Sequence, residues 1–247
     1  MQLDVRFGYV EIHNLEELGK IIYLYPDMAY SLLLREDFQN RLKEEEPYLY
    51  PTFLALLKEK KDEVFLFKVS YLFCPYMTFR YQGREFASYQ ELGTQILRMG
   101  PQIDIYLRDI LEEKLLSFVM KLQKDDERHP KLYELVLQKE KEFLDQPNYA
   151  YFSLGFHLSE SKVLVYHGKP YVDPEFFFVD ILKPETKEEF FATFEDNQYI
   201  FAWLNYLGYD KLINRYHTLV NLIEEKEKNG NVSTKQLSTL DEFPHRK

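Results

Sequence analysis

The sequence predicts a mainly α-helical protein made of three diverged helical repeats, with short β-strands where one repeat meets the next. Three observations predict this fold: a helix-start motif that occurs three times, apolar residues at helical spacing between the motifs, and few glycines and prolines. The repeats are expected at about 1–75, 76–160 and 161–230, packed as one body in a single domain over 1–230. An α+β fold is the alternative.

Each copy of the motif combines a turn glycine, a short extended segment and a residue suited to cap a helix. The side-chain oxygen of such a residue accepts a hydrogen bond from an unpartnered backbone N–H at a helix start. Glu17 and Glu91 follow the first two caps by three residues, where a capping box closes. Pro174 suits the first helical position of the third copy. The pairs of glycine and cap are Gly8 with Asn14, Gly83 with Ser88, and Gly168 with Asp173.

The three motifs are interpreted as traces of a duplication. After each start helix the chain offers a loop, a second apolar helix, a charged break and a third helix. The spacing between caps is unequal and longer than that of common solenoids, so chance similarity between helix starts is the alternative.

The first repeat should contain a strand and three helices. The strand covers about 3–12, and the helices cover about 15–25, 30–43 and 48–61. Pro26 ends the first helix because a residue before proline avoids the α conformation. Two aromatic stretches, 63–73 and 149–157, fit a buried helix or a strand, and a helix is favoured for the first.

The second and third repeats each begin with a strand that leads into the motif. The strands are expected at 76–83 and 161–168. The polar residues 231–247 are predicted to form a disordered tail. The helices of these two repeats are expected at about 89–99, 102–124, 130–144, 174–182, 187–207 and 209–228.

Composition excludes several classes of protein. The 247 residues include 41 acidic and 31 basic side chains, a net charge of −10, which disfavours nucleic acid as a partner. No segment reaches the ~20 apolar residues of a membrane span, and no secretory signal is evident. The single cysteine permits no intrachain disulfide. We therefore expect a soluble, cytoplasmic protein without a membrane partner.

Motifs that carry chemistry are missing from the sequence. It has no glycine-rich phosphate loop, no Gly-x-Ser-x-Gly turn, no His-Glu-x-x-His helix and no calcium-binding loop. No catalytic, cofactor-binding or metal-binding residue is predicted. Cys74 lies in an apolar run before Pro75 and is expected to be a buried structural thiol. His157 and His167 flank a proposed hairpin, an arrangement in which they could face each other across its strands.

Aromatic residues suggest how the protein works. Phe and Tyr number 20 each, and the helix that contains Trp203 is apolar on more than one face. A terminal repeat needs a polar outer face, so surplus aromatic residues there indicate an exposed patch, although a core role is the default for Trp203. The candidate partner-binding residues are Phe194, Tyr199, Trp203, Tyr206 and Tyr209.

These observations favour a regulatory or scaffold module without enzymatic activity, which binds a protein or peptide through an aromatic, acidic surface. One alternative is an enzyme whose site combines dispersed His and carboxylate residues. A structural homo-oligomer is the second alternative.

Overall fold

The computed structural model describes residues 1–58, 63–181, 198–209, 211 and 214. Within these residues, thirteen α-helices accompany three two-stranded antiparallel sheets, so the prediction of a mainly α-helical fold is confirmed. The chain divides into two compact units, an N-terminal unit (Met1–Glu160) and a C-terminal unit (Ser161–Lys247). The single domain over 1–230 remains a prediction.

The N-terminal unit contains two hairpins, each followed by a group of helices. The first group is β1 (Gln2–Phe7), β2 (Val10–Asn14), α1 (Leu15–Ile21), a 3-10 turn (Ile22–Leu24), α2 (Pro26–Leu33), α3 (Glu36–Glu45), α4 (Tyr50–Leu57) and α5 (Glu63–Phe73). The second group is β3 (Phe79–Tyr81), β4 (Arg84–Phe86), α6 (Tyr89–Leu97), α7 (Ile105–Glu112), α8 (Leu115–Leu122), α9 (Asp125–Arg128), α10 (Pro130–Glu142) and α11 (Pro147–Ser159).

The C-terminal unit starts with a third hairpin. Its described elements are β5 (Leu164–Tyr166), β6 (Lys169–Tyr171), α12 (Pro174–Ile181) and α13 (Gln198–Tyr206). The helix predicted at 187–207 is therefore described only from 198 onward. The predicted helix at 209–228, apart from three of its residues, and the predicted tail at 231–247 lie outside the described residues.

All three hairpins close through two-residue turns that contain the motif glycine. The strand residues next to each turn pair as Phe7 with Val10, Tyr81 with Arg84, and Tyr166 with Lys169. Gln82 and Gly83 both have positive φ, at 50° and 72°, and so do His167 and Gly168, at 48° and 76°. Two successive positive φ values define the turn type whose twist matches that of the strands.

The predicted caps are confirmed. Glu17 N–H donates to Asn14 Oδ1 at 2.9 Å, and Glu91 N–H donates to Ser88 Oγ at 3.1 Å. In the third copy the donor is one residue earlier in the helix, because Glu175 N–H donates to Asp173 Oδ1 at 2.9 Å. Each hairpin therefore leads directly into a capped helix.

The two aromatic stretches that allowed either assignment are helices, α5 and α11, and the favoured helix at 63–73 is confirmed. Each packs closely on the helix that follows a hairpin: α5 on α1 and α11 on α6. A Cβ added to Gly19 would lie 2.7 Å from Ser70 O, and one added to Gly93 would lie 2.3 Å from Ser159 N. This common arrangement agrees with a duplication, which remains a hypothesis.

Two predicted helices are wrong in extent. The helix expected at 102–124 is interrupted at Lys114, whose φ of 55° is left-handed and ends α7 before α8 begins. The helix expected at 30–43 is divided between α2 and α3. Neither break contains glycine or proline, the residues that usually signal the end of a helix, so the sequence did not indicate these two breaks.

Candidate interaction surface

The core of the C-terminal unit contains two of the predicted partner-binding residues. Trp203 is fully buried, and its indole N–H donates to Lys162 O at 3.0 Å. Tyr199 is also buried, and its hydroxyl accepts a hydrogen bond from Val165 N–H at 3.3 Å. Both hydrogen bonds hold the start of the third hairpin: Lys162 lies two residues before β5, and Val165 lies within it.

The other predicted partner-binding residues are placed differently. Tyr206 is half-buried, and Tyr209 is 39% exposed. Phe194 lies outside the described residues. A partner at the surface could therefore contact Tyr206 and Tyr209, whereas buried Trp203 could affect binding only through the stability of the fold. Their role in binding remains a prediction.

Three exposed apolar residues lie at the start of α12 and along it. Val172, Phe176 and Val179 are 69%, 58% and 50% exposed. Phe176 and Val179 are three residues apart and lie on one side of α12, whereas Val172 precedes the cap Asp173 and lies before the helix begins. We call Val172, Phe176 and Val179 the α12 face. The opposite side of α12 buries Phe177, Phe178 and Ile181 in the core.

The corresponding positions after the first two caps are mainly polar. Counted from the cap, the α12 face corresponds to His13, Glu17 and Lys20 after Asn14 and to Ala87, Glu91 and Thr94 after Ser88. Glu17 accepts a hydrogen bond from His13 N–H, and Glu91 accepts one from Ala87 N–H, both at 2.7 Å. Phe176 replaces this capping glutamate and leaves an apolar ring at the surface.

Sequence reasoning missed the α12 face, although the signal was available. The run Phe176–Phe178 is uniformly aromatic, so it does not reveal which ring faces outward. Aligning the three caps would have shown that Phe176 stands where Glu17 and Glu91 stand. This position is the clearest departure of the third motif from the other two.

Charged groups surround one end of the α12 face. The Lys169 ammonium pairs with Asp180 and lies 5.2 Å and 5.6 Å from the ring centroids of Tyr171 and Phe176. The Tyr171 hydroxyl donates to Asp180 Oδ2 at 2.7 Å. Burial and this bond raise the pKa of Tyr171, so it remains a neutral donor. The exposed carboxylates of Asp173 and Glu175 lie beside this end and give it a negative charge.

The residues considered for catalysis do not form a site in the described part of the chain. Cys74 is buried, and burial raises the pKa of its thiol. The proposed arrangement of His157 facing His167 across a hairpin is wrong, because His157 lies in helix α11, with Nδ1 2.8 Å from Ser153 O. Among the described residues, no group of three or more His, Cys, Asp or Glu side chains is placed to hold a metal ion.

Within the same residues, every helix is too short or too polar to cross a lipid bilayer. Comparison of the chain with protein-family models, with curated proteins and with solved structures finds no match.

Proposed function

We propose that this chain is a non-enzymatic protein-binding module and that the α12 face is its contact surface. One observation carries the proposal: the third residue after the cap is a glutamate in the helices capped by Asn14 and Ser88, but an exposed phenylalanine in the helix capped by Asp173. Exposed apolar residues that form a contiguous patch are typical of interaction sites. Tyr206, the last residue of α13, and Tyr209, three residues beyond it, remain candidates for a contact with the partner.

The proposed partner is an amphipathic helix with basic residues beside its apolar seam. Phe176 and Val179, three residues apart on α12, can pack against the apolar side chains of a second helix, and Val172 extends this surface before the helix begins. Asp173 and Glu175 lie at one end of the α12 face, and the chain carries a net charge of −10. Basic groups on the partner would complement this charge, whereas a second copy of the chain would bring like charges together.

A defined peptide tests the proposal. The probe is a fluorescent amphipathic peptide of about 18 residues, or about five helical turns, with leucine on one face and lysine on the other. A second peptide carries glutamate in place of lysine. Fluorescence anisotropy should show saturable binding of the leucine–lysine peptide to the wild-type chain and much weaker binding of the leucine–glutamate peptide.

Phe176→Glu is the decisive variant because it separates apolar contact from general attraction. It adds a negative charge, so non-specific binding of a basic peptide would increase, whereas loss of the apolar contact should weaken affinity by about tenfold or more. Thr94→Glu adds the same charge to the equivalent side of α6 and should leave affinity unchanged. Equal binding by wild type and Phe176→Glu would refute the proposal, as would a wild-type dimer that Phe176→Glu converts to monomer.

A further inference from the structure

The N-terminal unit contains a cavity whose lining residues are different from those of the α12 face. It occupies about 430 Å³ between the 3-10 turn, the first turn of α5 and the β3–β4 hairpin. Small-molecule sites in proteins commonly have volumes of about 300–1,000 Å³. The residues that give this cavity its chemical character are Tyr23, Leu24, Glu63, Arg80, Arg84 and Glu85.

Arg80 is the half-buried cation of this cavity. Its Nη2 donates to Lys20 O at 2.6 Å and lies 3.3 Å from Met77 Sδ. Its Nε is buried and has no hydrogen-bond partner in the described structure. No carboxylate within the described ranges makes an ion pair with it. An anion beside this partly buried cation would give it the counter-ion that it lacks.

Tyr23 lies beside this cation and offers a second donor. Its ring centroid is 5.9 Å from the Arg80 guanidinium carbon, and its buried hydroxyl has no hydrogen-bond partner in the part of the chain that the structure covers. Burial, the largest cause, raises the pKa of Tyr23, so the hydroxyl keeps its proton. It can therefore donate to an anion and would not compete with one.

The other charged residues of the cavity already have partners. Glu63 accepts a hydrogen bond from Gln82, and Glu85 accepts one from the Thr78 hydroxyl. Arg84 forms an ion pair with Asp104. Of these contacts, only the pair of Arg84 with Asp104 joins opposite charges. Gln82 and Thr78 are neutral donors, so Glu63 and Glu85 keep their negative charges. An anion would therefore have to bind on the side of the cavity formed by Arg80 and Tyr23.

We propose that this cavity binds a small organic anion. Its carboxylate or phosphate group would accept hydrogen bonds from Arg80 and Tyr23, and its apolar body would lie against Leu24 and Pro26. Arg80 Nε and the Tyr23 hydroxyl are both buried, so the two side chains must move for such a group to reach these donors. The site is independent of the proposed binding of a helix, and either proposal can fail without the other.

Thermal unfolding with defined anions tests this site. The probes are phenyl phosphate, benzoate and inorganic phosphate, compared at constant ionic strength with chloride. At least one of the two organic anions should raise the melting temperature with a saturable dose dependence. Absence of a saturable shift with both organic anions would overturn the proposal. An equal affinity for inorganic phosphate would overturn the role of the apolar wall.

Three variants assign the effect to the cavity. Arg80→Gln should weaken the organic anion by about tenfold or more. Arg128→Gln, a change at an exposed arginine outside the cavity, should leave affinity unchanged. Because Arg80 also holds Lys20 O, Leu24→Asp provides an independent test: it places a carboxylate at an exposed position of the cavity wall and should also weaken binding. Unchanged affinity in both Arg80→Gln and Leu24→Asp would refute the site.

Discussion

The rings of Phe177 and Trp203 meet edge to face in the C-terminal unit, with centroids 5.8 Å apart and planes at 83°. The residue before Phe177 is Phe176, which is 58% exposed. Consecutive helix positions lie about 100° apart, so the contact that buries Phe177 also directs Phe176 outward. The core pair thereby fixes the orientation in which α12 presents its exposed apolar residues.

Phe176→Glu should preserve the stability of the C-terminal unit. The new carboxylate takes the position of Glu17 and Glu91 and can accept a hydrogen bond from Val172 N–H. We expect the free energy of unfolding to stay the same or to rise by up to about 1 kcal/mol. Trp203 is the only tryptophan of the chain, so its fluorescence during urea denaturation reports this unit. A loss above about 1 kcal/mol would instead indicate that Phe176 packs in the core.

Tyr199→Phe should destabilise the same unit. The change removes the hydroxyl that accepts from Val165 N–H and leaves that strand donor without its partner. The expected loss is about 1–3 kcal/mol in the free energy of unfolding, measured by Trp203 fluorescence in urea. Tyr209→Phe, at an exposed position, is the matched control and should change the midpoint little. Equal effects of the two changes would contradict this role for Tyr199.

Gly93→Ala should destabilise the N-terminal unit even though alanine favours helices. The added methyl group would lie 2.3 Å from Ser159 N and 2.6 Å from Leu158 Cβ, so α6 and α11 would have to separate. Overpacking of this kind costs about 1–3 kcal/mol, more than the ~1 kcal/mol gained in helix propensity. Circular dichroism at 222 nm during thermal unfolding measures the change. Thr94→Ala, the exposed neighbour, is the control; a stable Gly93→Ala variant would show that the two helices are not in close contact.

Glu140 should make stability depend on pH. Its carboxylate is buried at the start of α8, where Oε1 accepts from Ser117 N–H at 3.1 Å. Burial, the largest influence, raises the pKa of Glu140 above 4.5 despite that bond. The folded state therefore holds this proton to higher pH than the unfolded state. Its contribution is fully present below pH 4.5 and is lost as pH rises through the folded pKa.

Glu140→Gln removes this titration and keeps an acceptor for Ser117. Relative to wild type, the variant should gain stability as pH rises from about 4.5 to 7.5, because only the wild-type chain must bury a charge. Urea denaturation followed by circular dichroism at several pH values measures the difference. A stability difference that is constant across this range would contradict the raised pKa.

The sequence was a reliable guide where local chemistry decides structure. Asn14, Ser88 and Asp173 act as caps because an N–H at a helix start needs an acceptor whatever the rest of the fold does. The hairpin turns were also predictable, because Gly83 and Gly168 adopt positive φ without steric cost. The breaks at Lys114 and after Leu33 were not, because tertiary packing imposed them on residues without turn preference.

The candidate surface depends on tertiary structure and was beyond a reading of single residues. Trp203 and Phe176 are both aromatic residues in helices, yet one is fully buried and the other is exposed. Residue type alone therefore predicts the same burial for both. The burial of Phe177 sets the rotation of α12 and turns Phe176 outward, whereas Trp203 faces the core from α13. Comparing the positions that follow the three caps is the sequence signal that comes closest to this result.

Hydrogen–deuterium exchange with and without the leucine–lysine peptide tests the central claim most directly, because it locates the contact. Peptide binding should slow exchange of backbone amides in α12 (Pro174–Ile181) and leave the equivalent helix α6 (Tyr89–Leu97) unchanged. The Phe176→Glu variant should show no protection at the same peptide concentration. Protection of α6, protection elsewhere without α12, or equal protection of the variant would contradict a partner-binding role for the α12 face.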